Sequence, residues 1–122
     1  MFKNLLLIVF TVIVNTTGQF VIKTGVNRIG KISIRENFFG TILKALTSWI
    51  IISGFGLYFI SAIIWIIILS RAELSWAFPL LSLSYVITVL VSPILLNESF
   101  SLQKLVGTLV ICLGVYLVSR TY

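Results

Sequence analysis

Four long apolar runs, at residues 5–22, 49–69, 76–96 and 102–118, limit this chain more than any other feature of its sequence. About 20 apolar residues in a helix cross the hydrocarbon core of a bilayer, and each run is close to that length. These runs predict helices. The expected fold is therefore an all-α integral membrane protein with four transmembrane helices, one domain over residues 1–122. The first run resembles a secretory signal, but it is longer than the apolar core of one, contains Asn15 and Gln19 and lacks a small-x-small cleavage site, so it reads as a retained span.

The connectors add detail. Between the first and second runs, Phe38, Phe39, Ile42, Leu43 and Leu46 recur at helical spacing, which predicts a short interfacial helix over 37–46. In the third run, Pro79 falls in the first turn, where a missing N–H costs little, and Pro93 falls near the end, where it should kink or stop the helix. Ser101 stands where an N-cap of the fourth helix is expected.

Composition excludes most chemistry. Of 122 residues 59% are hydrophobic and 10% charged; there is no His, and the acids are Glu36, Glu73 and Glu98. With Cys112 the single cysteine, too few groups exist for a catalytic triad, a carboxylate pair or a multi-ligand metal site, so neither enzymatic catalysis nor a metal or cofactor is expected. The net charge of +6 reads as loop cations meeting anionic lipid rather than nucleic acid. Lys3, Arg71 and Arg120 fall on one side of the membrane and Lys23, Arg28, Lys31, Arg35, Lys44 and Lys104 on the other, which the positive-inside rule makes cytoplasmic.

Polar residues at membrane depth are costly unless paired, so their arrangement is informative. Thr11, Asn15 and Gln19 follow i, i+4, i+8 spacing on the first helix; Gly54, Tyr58, Ser61 and Trp65 share a face of the second; Ser82, Tyr85, Thr88 and Ser92 share one of the third. Such stripes serve either as interhelical glue or as the lining of a polar groove. Lys23 lies about 18 residues beyond Leu5, or about 27 Å at a rise of roughly 1.5 Å per residue, which places it at the far interface. There it snorkels or meets an anionic headgroup. Glu98 reads as dipole compensation at the start of the fourth helix. Gly107 and Gly114, seven residues apart on the fourth helix, form a small-residue face for helix packing or for a dimer contact.

Gly18-Gln19 with Lys23, Trp65 before Leu69-Ser-Arg71, the stretch Leu74-Ser-Trp-Ala-Phe-Pro-Leu-Leu-Ser-Leu-Ser-Tyr85, Asn97-Glu98-Ser-Phe-Ser101 and Gly107 to Gly114-Val115 together resemble the small members of the drug/metabolite transporter superfamily (EamA-like). The resemblance is greatest to the ArnE and ArnF type subunits of the aminoarabinose-phosphoundecaprenol flippase and spans nearly the whole chain. The small multidrug resistance exporters are similar in size, in the lysine ending the first span and in the pattern of the fourth. Their proton-coupling carboxylate falls at Asn15, and their third-span tryptophan at Leu81. None of the four runs contains Glu or Asp, so proton-coupled export of cations lacks its usual counter-ion.

The resemblance implies a plasma (inner) membrane flippase or flippase subunit for a polyprenyl-phosphate-linked sugar. It would act as a homodimer or heterodimer with a similar four-span subunit. On that reading Asn15, Gln19, Tyr58, Ser61, Trp65, Tyr85 and Thr88 line the groove for the sugar phosphate, and Lys23 with Arg28 or Arg71 captures the phosphate. A cation or metabolite exporter, and a non-transporting partner subunit, are the two alternatives.

Overall fold

The computed structural model describes residues 2–31 and 34–121, and the regular elements among them are all helices. They are α1 (Phe2–Ile29), α2 (Phe38–Leu46), α3 (Trp49–Leu69), α4 (Leu74–Leu80), α5 (Leu83–Leu95) and α6 (Leu102–Ser119). With α4 and α5 counted as one segment, Leu74–Leu95, four segments are long and apolar enough to cross a membrane. The protein is an all-helical, multi-pass membrane protein, as the apolar runs predict. Phe10, Phe55, Phe59, Ile66, Leu109 and Leu113 are among many large apolar side chains facing outward, the distribution lipid favours and water would not.

The first helix outruns its apolar stretch. α1 continues beyond Lys23 to Ile29, and Thr24 donates its hydroxyl to the Phe20 carbonyl. Gly25 sits so close to α3 that an added Cβ would come within 2.6 Å of Ile51 Cγ1. α1 and α3 share the largest interface of the molecule. Its centre is Gly18 against Gly54, where a Cβ on either residue would lie 3.0 Å from the other's carbonyl oxygen. Without a hydrophobic drive between helices in lipid, such close backbone approach, and the dispersion contacts it permits, is what holds two spans together. Gly54, read from sequence as part of a polar stripe, is a packing residue.

The third span is broken, and not where the sequence suggested. Glu73 supplies the N-cap of α4, so the helix starts at Leu74, and Pro79 falls beyond the first turn instead of within it. Pro79 has no N–H to give to the preceding turn. From there Leu81 and Ser82 donate their N–H groups only three residues back, to Phe78 and Pro79, and Ser84 and Tyr85 repeat the pattern to Leu81 and Ser82. The Ser82 hydroxyl also donates to the Pro79 carbonyl. This tightened turn separates α4 from α5, while Pro93 sits inside α5, two residues before its end at Leu95.

The fourth span begins as predicted: the Ser101 Oγ accepts the Lys104 N–H at 3.1 Å. The buried core gathers Ile8 and Val12 of α1, Ile68 of α3, Trp76, Ala77 and Leu80 of α4, and Val115 of α6. All of these lie towards one end of the bundle. Beyond Val12, α1 and α5 make only a modest contact, and the space between them is the candidate site. α2 buries Ala45 and leaves Phe39, Leu43 and Leu46 exposed.

Candidate functional site

Asn15, Gln19 and Lys23 follow one another along one face of α1 because each is a little more than one helical turn from the next. α5 opposes them with Tyr85, Thr88 and Ser92. Two recesses lie between. The deeper is about 310 Å³ and is lined by Asn15 and Gln19 together with Phe78, Pro79, Leu81, Ser82, Ser84 and Tyr85. The outer is about 190 Å³ and is lined by Gln19, Phe20, Lys23, Thr88, Ser92, Leu96 and Glu98. Gln19 borders both, so they form one cleft along α1. The break between α4 and α5 supplies the floor of the deeper recess through Pro79, Leu81 and Ser82.

The cleft's chemistry follows from which polar groups are already engaged. The Thr88 hydroxyl donates to the Ser84 carbonyl at 2.8 Å, and the Ser82 hydroxyl is bound to Pro79, so these two oxygens face the cleft mainly as acceptors. Elsewhere the hydroxyls of Thr11, Thr17, Ser53, Ser61 and Thr108 likewise bond carbonyls of their own helices rather than bridging to a neighbour. Among the described residues, no hydrogen bond holds the side-chain amide of Asn15 or Gln19. Each amide offers both donors and an acceptor, and with the Tyr85 phenol they suit a hydroxylated or phosphorylated group. At the mouth, Lys23 Nζ lies 4.0 Å from Glu98 Oε1.

Of the residues singled out from sequence, the structure brings together Asn15, Gln19, Lys23, Tyr85 and Thr88. The α3 stripe lies elsewhere. Tyr58 packs over α1 at Gly18, and Ser61 is buried with its hydroxyl donated to the Tyr58 carbonyl. Trp65 stacks edge-on against Phe78 with ring centroids 6.2 Å apart, and so supports the deeper recess from behind. Arg28 is in the last turn of α1, beyond Lys23. Arg71 follows α3, which runs antiparallel to α1, and therefore lies at the opposite end of the bundle from Lys23. Gly107 and Gly114 face outward on α6, where an added Cβ would meet nothing within 4 Å, so they pack no helix of this chain among the described residues. Sequence reasoning missed Glu98 as a site residue. Its place at a span end on the same side as Lys23 carried a signal, but a helix-start role explained it equally well.

Four apolar spans with a polar cleft between α1 and α5 define a multi-pass membrane protein with an intramembrane groove. Comparison with known proteins gives the family. The chain is 34% identical over 113 residues, 89% of its length and 86% of the relative's, to a probable 4-amino-4-deoxy-L-arabinose-phosphoundecaprenol flippase subunit ArnF of Serratia proteamaculans. An ArnF subunit of Photorhabdus laumondii is 29% identical over 121 residues, covering 90% of this chain and 91% of the relative. An ArnE subunit of Pseudomonas savastanoi is 30% identical over 88 residues, covering 70% and 75%. No family model and no solved structure matches the chain. The chain belongs to the family of ArnE and ArnF type flippase subunits.

Proposed function

We propose that the protein is one subunit of a flippase that moves a polyprenyl-phosphate-linked sugar across the plasma (inner) membrane. The observation that carries this reading is the cleft itself, with unengaged amides at Asn15 and Gln19 in mid-membrane leading to a lysine at its mouth. The sugar phosphate would travel along α1 past Asn15, Gln19, Tyr85 and Thr88 while the polyprenyl tail stays in lipid. In the deeper recess, hydrogen-bonding groups without fixed anions stabilise such a headgroup without repelling its phosphate. Lys23 captures the phosphate at one mouth, and Arg71, at the other end of the bundle, serves the opposite mouth.

A second four-span subunit completes the transporter on this reading. Two recesses totalling a few hundred Å³ and open to the side do not enclose a path. The outward face of α6, with Gly107 and Gly114 amid Val106, Val110, Leu113 and Leu117, allows a close helix contact with a partner. Support also comes from the relatives, which are named as subunits of a flippase. The test is reconstitution of the chain, alone and with a similar four-span subunit, into liposomes carrying a polyprenyl-phosphate amino sugar. A membrane-impermeant amine reagent then reports which leaflet the lipid occupies. Transfer that requires both chains supports the reading, and no transfer in either preparation refutes it.

A further inference from the structure

We infer that α2, with Arg28, Lys31, Arg35 and Lys44 around it, is a docking surface for the membrane: the helix lies in the plane of one leaflet, and the cations take the headgroups of anionic phospholipids. The surface is separate from the cleft between α1 and α5 and does not rest on the flippase reading.

The faces of α2 come first. At about 100° per residue, Phe39, Leu43 and Leu46 fall within an arc of about 60°. They are 84%, 66% and 54% exposed. The buried Ala45 and the exposed Lys44 fall outside that arc. Contacts of α2 with α1 and α3 are slight, so the bundle leaves the apolar arc uncovered. The helix is nonetheless closed at both ends by its own neighbourhood. The carbonyl of Asn37, which takes a left-handed conformation (φ 49°), accepts the N–H and the hydroxyl of Thr41, and the Thr47 hydroxyl donates to the Leu43 and Lys44 carbonyls. α2 therefore presents its apolar arc ready-made.

The height of α2 is set by the elements beside it. Thr47 and Ser48 alone separate it from Trp49, the first residue of a span, which is 83% exposed, as suits an aromatic at the boundary of lipid and water. Gly25 packs against Ile50 and Ile51 at that same level, so the last turn of α1, with Arg28, emerges among the headgroups. A helix of nine residues is about 14 Å long, too short to cross, and at this height three large apolar side chains belong in the upper acyl layer.

Charge selects the occupant. From Arg28 to Leu46 the chain carries four cations and one acid, Glu36. All four cations are exposed, and among the described residues none of them is in an ion pair. The core of a protein interface is depleted in charge, so a protein partner would need acids placed to match each cation. A leaflet offers an apolar layer with phosphate anions directly above it, the same order in which this surface presents its apolar arc and its cations.

Hydrogen exchange on the full chain tests the inference, in nanodiscs of pure phosphatidylcholine and of phosphatidylcholine with phosphatidylglycerol at about 7:3. The amides of α2 are expected to exchange about tenfold more slowly in the anionic bilayer, and the difference shrinks as salt is raised. In the triple variant Lys31→Gln, Arg35→Gln, Lys44→Gln the two bilayers give the same rate, whereas Lys31→Arg, Lys44→Arg keeps the difference. In Phe39→Ser, Leu43→Ser the amides of α2 exchange faster in both bilayers. The amides of α3 and α6 report folding and are expected to exchange alike in all samples. The wild-type comparison needs no substitution, so it decides even where a variant does not fold. Equal wild-type rates for α2 in the two bilayers, or a difference that survives in the triple variant, overturn the inference. So does a slowing shared by α3 and α6, which marks a general effect of the bilayer. Protection of α2 that appears in pure phosphatidylcholine once a similar four-span subunit is added also overturns it, because the occupant is then a protein.

Discussion

Replacing Gly54 with alanine tests how the bundle is closed. The new methyl would stand 2.4 Å from Ile22 Cγ1, 3.1 Å from the Ile22 nitrogen and 3.0 Å from the Gly18 carbonyl oxygen. The Ile22 side chain can swing away, but the two backbone atoms cannot move without parting α1 from α3. Opening a packed interface by about 0.5 Å forfeits about a quarter of its contact energy. A set of contacts the size of one buried leucine's is worth several kcal/mol, so the loss is about 1.5 kcal/mol, within the roughly 1–3 kcal/mol typical of overpacked sites. That is slightly more than a tenfold shift in the folding equilibrium. The assay is reversible unfolding in bicelles followed by the fluorescence of Trp65 and Trp76, which pack in or against the core. Gly107→Ala is the control, because its methyl meets nothing within 4 Å and alanine is the better helix former. A Gly54→Ala protein as stable as wild type, or no less stable than Gly107→Ala, would refute the reasoning.

Four further outcomes are expected. Gln19→Ala removes the amide common to both recesses; two lost hydrogen bonds at about 0.5–1.5 kcal/mol each should slow headgroup transfer about tenfold in the amine-reagent assay. Ser61→Ala, on the far side of α1 with its hydroxyl already bonded to Tyr58, is expected to leave transfer near the wild-type rate. Ser101→Ala deletes the N-cap of α6 and should destabilise the chain by about 1 kcal/mol in the bicelle unfolding assay. Gly107→Leu and Gly114→Leu are expected to leave the isolated chain folded but to abolish co-purification with a similar four-span subunit, since both glycines face outward.

The elements were legible in the sequence because helix formation in lipid is a local requirement. A run of apolar residues long enough to cross must satisfy its own backbone, and 49–69 and 102–118 each emerge as helices within one residue of those limits. The Ser101 cap is local too, needing only an oxygen three residues before the Lys104 N–H. The break at Leu81 and Ser82 was not legible, because it depends on where the helix starts. With Glu73 as cap, Pro79 leaves the first turn, and the position of one missing N–H changes from harmless to disruptive.

The site divides along the same line. Periodicity alone put Asn15, Gln19 and Lys23 on one face of the first helix and Tyr85 and Thr88 on one face of the third, and the absence of acids from the spans left those faces without an anion. Which faces meet was decided by tertiary structure. In lipid an apolar side chain is as well placed against a tail as against another helix, so a stripe does not reveal its neighbour. Close approach at Gly18, Gly25 and Gly54 gave α1 to α3 on one side, which turned Tyr58 and Ser61 into seam residues and left the cleft to α1 and α5. The pairing of Lys23 with Glu98 joins residues far apart in sequence, and only the return of the α5–α6 connector to the end of the cleft brings them together.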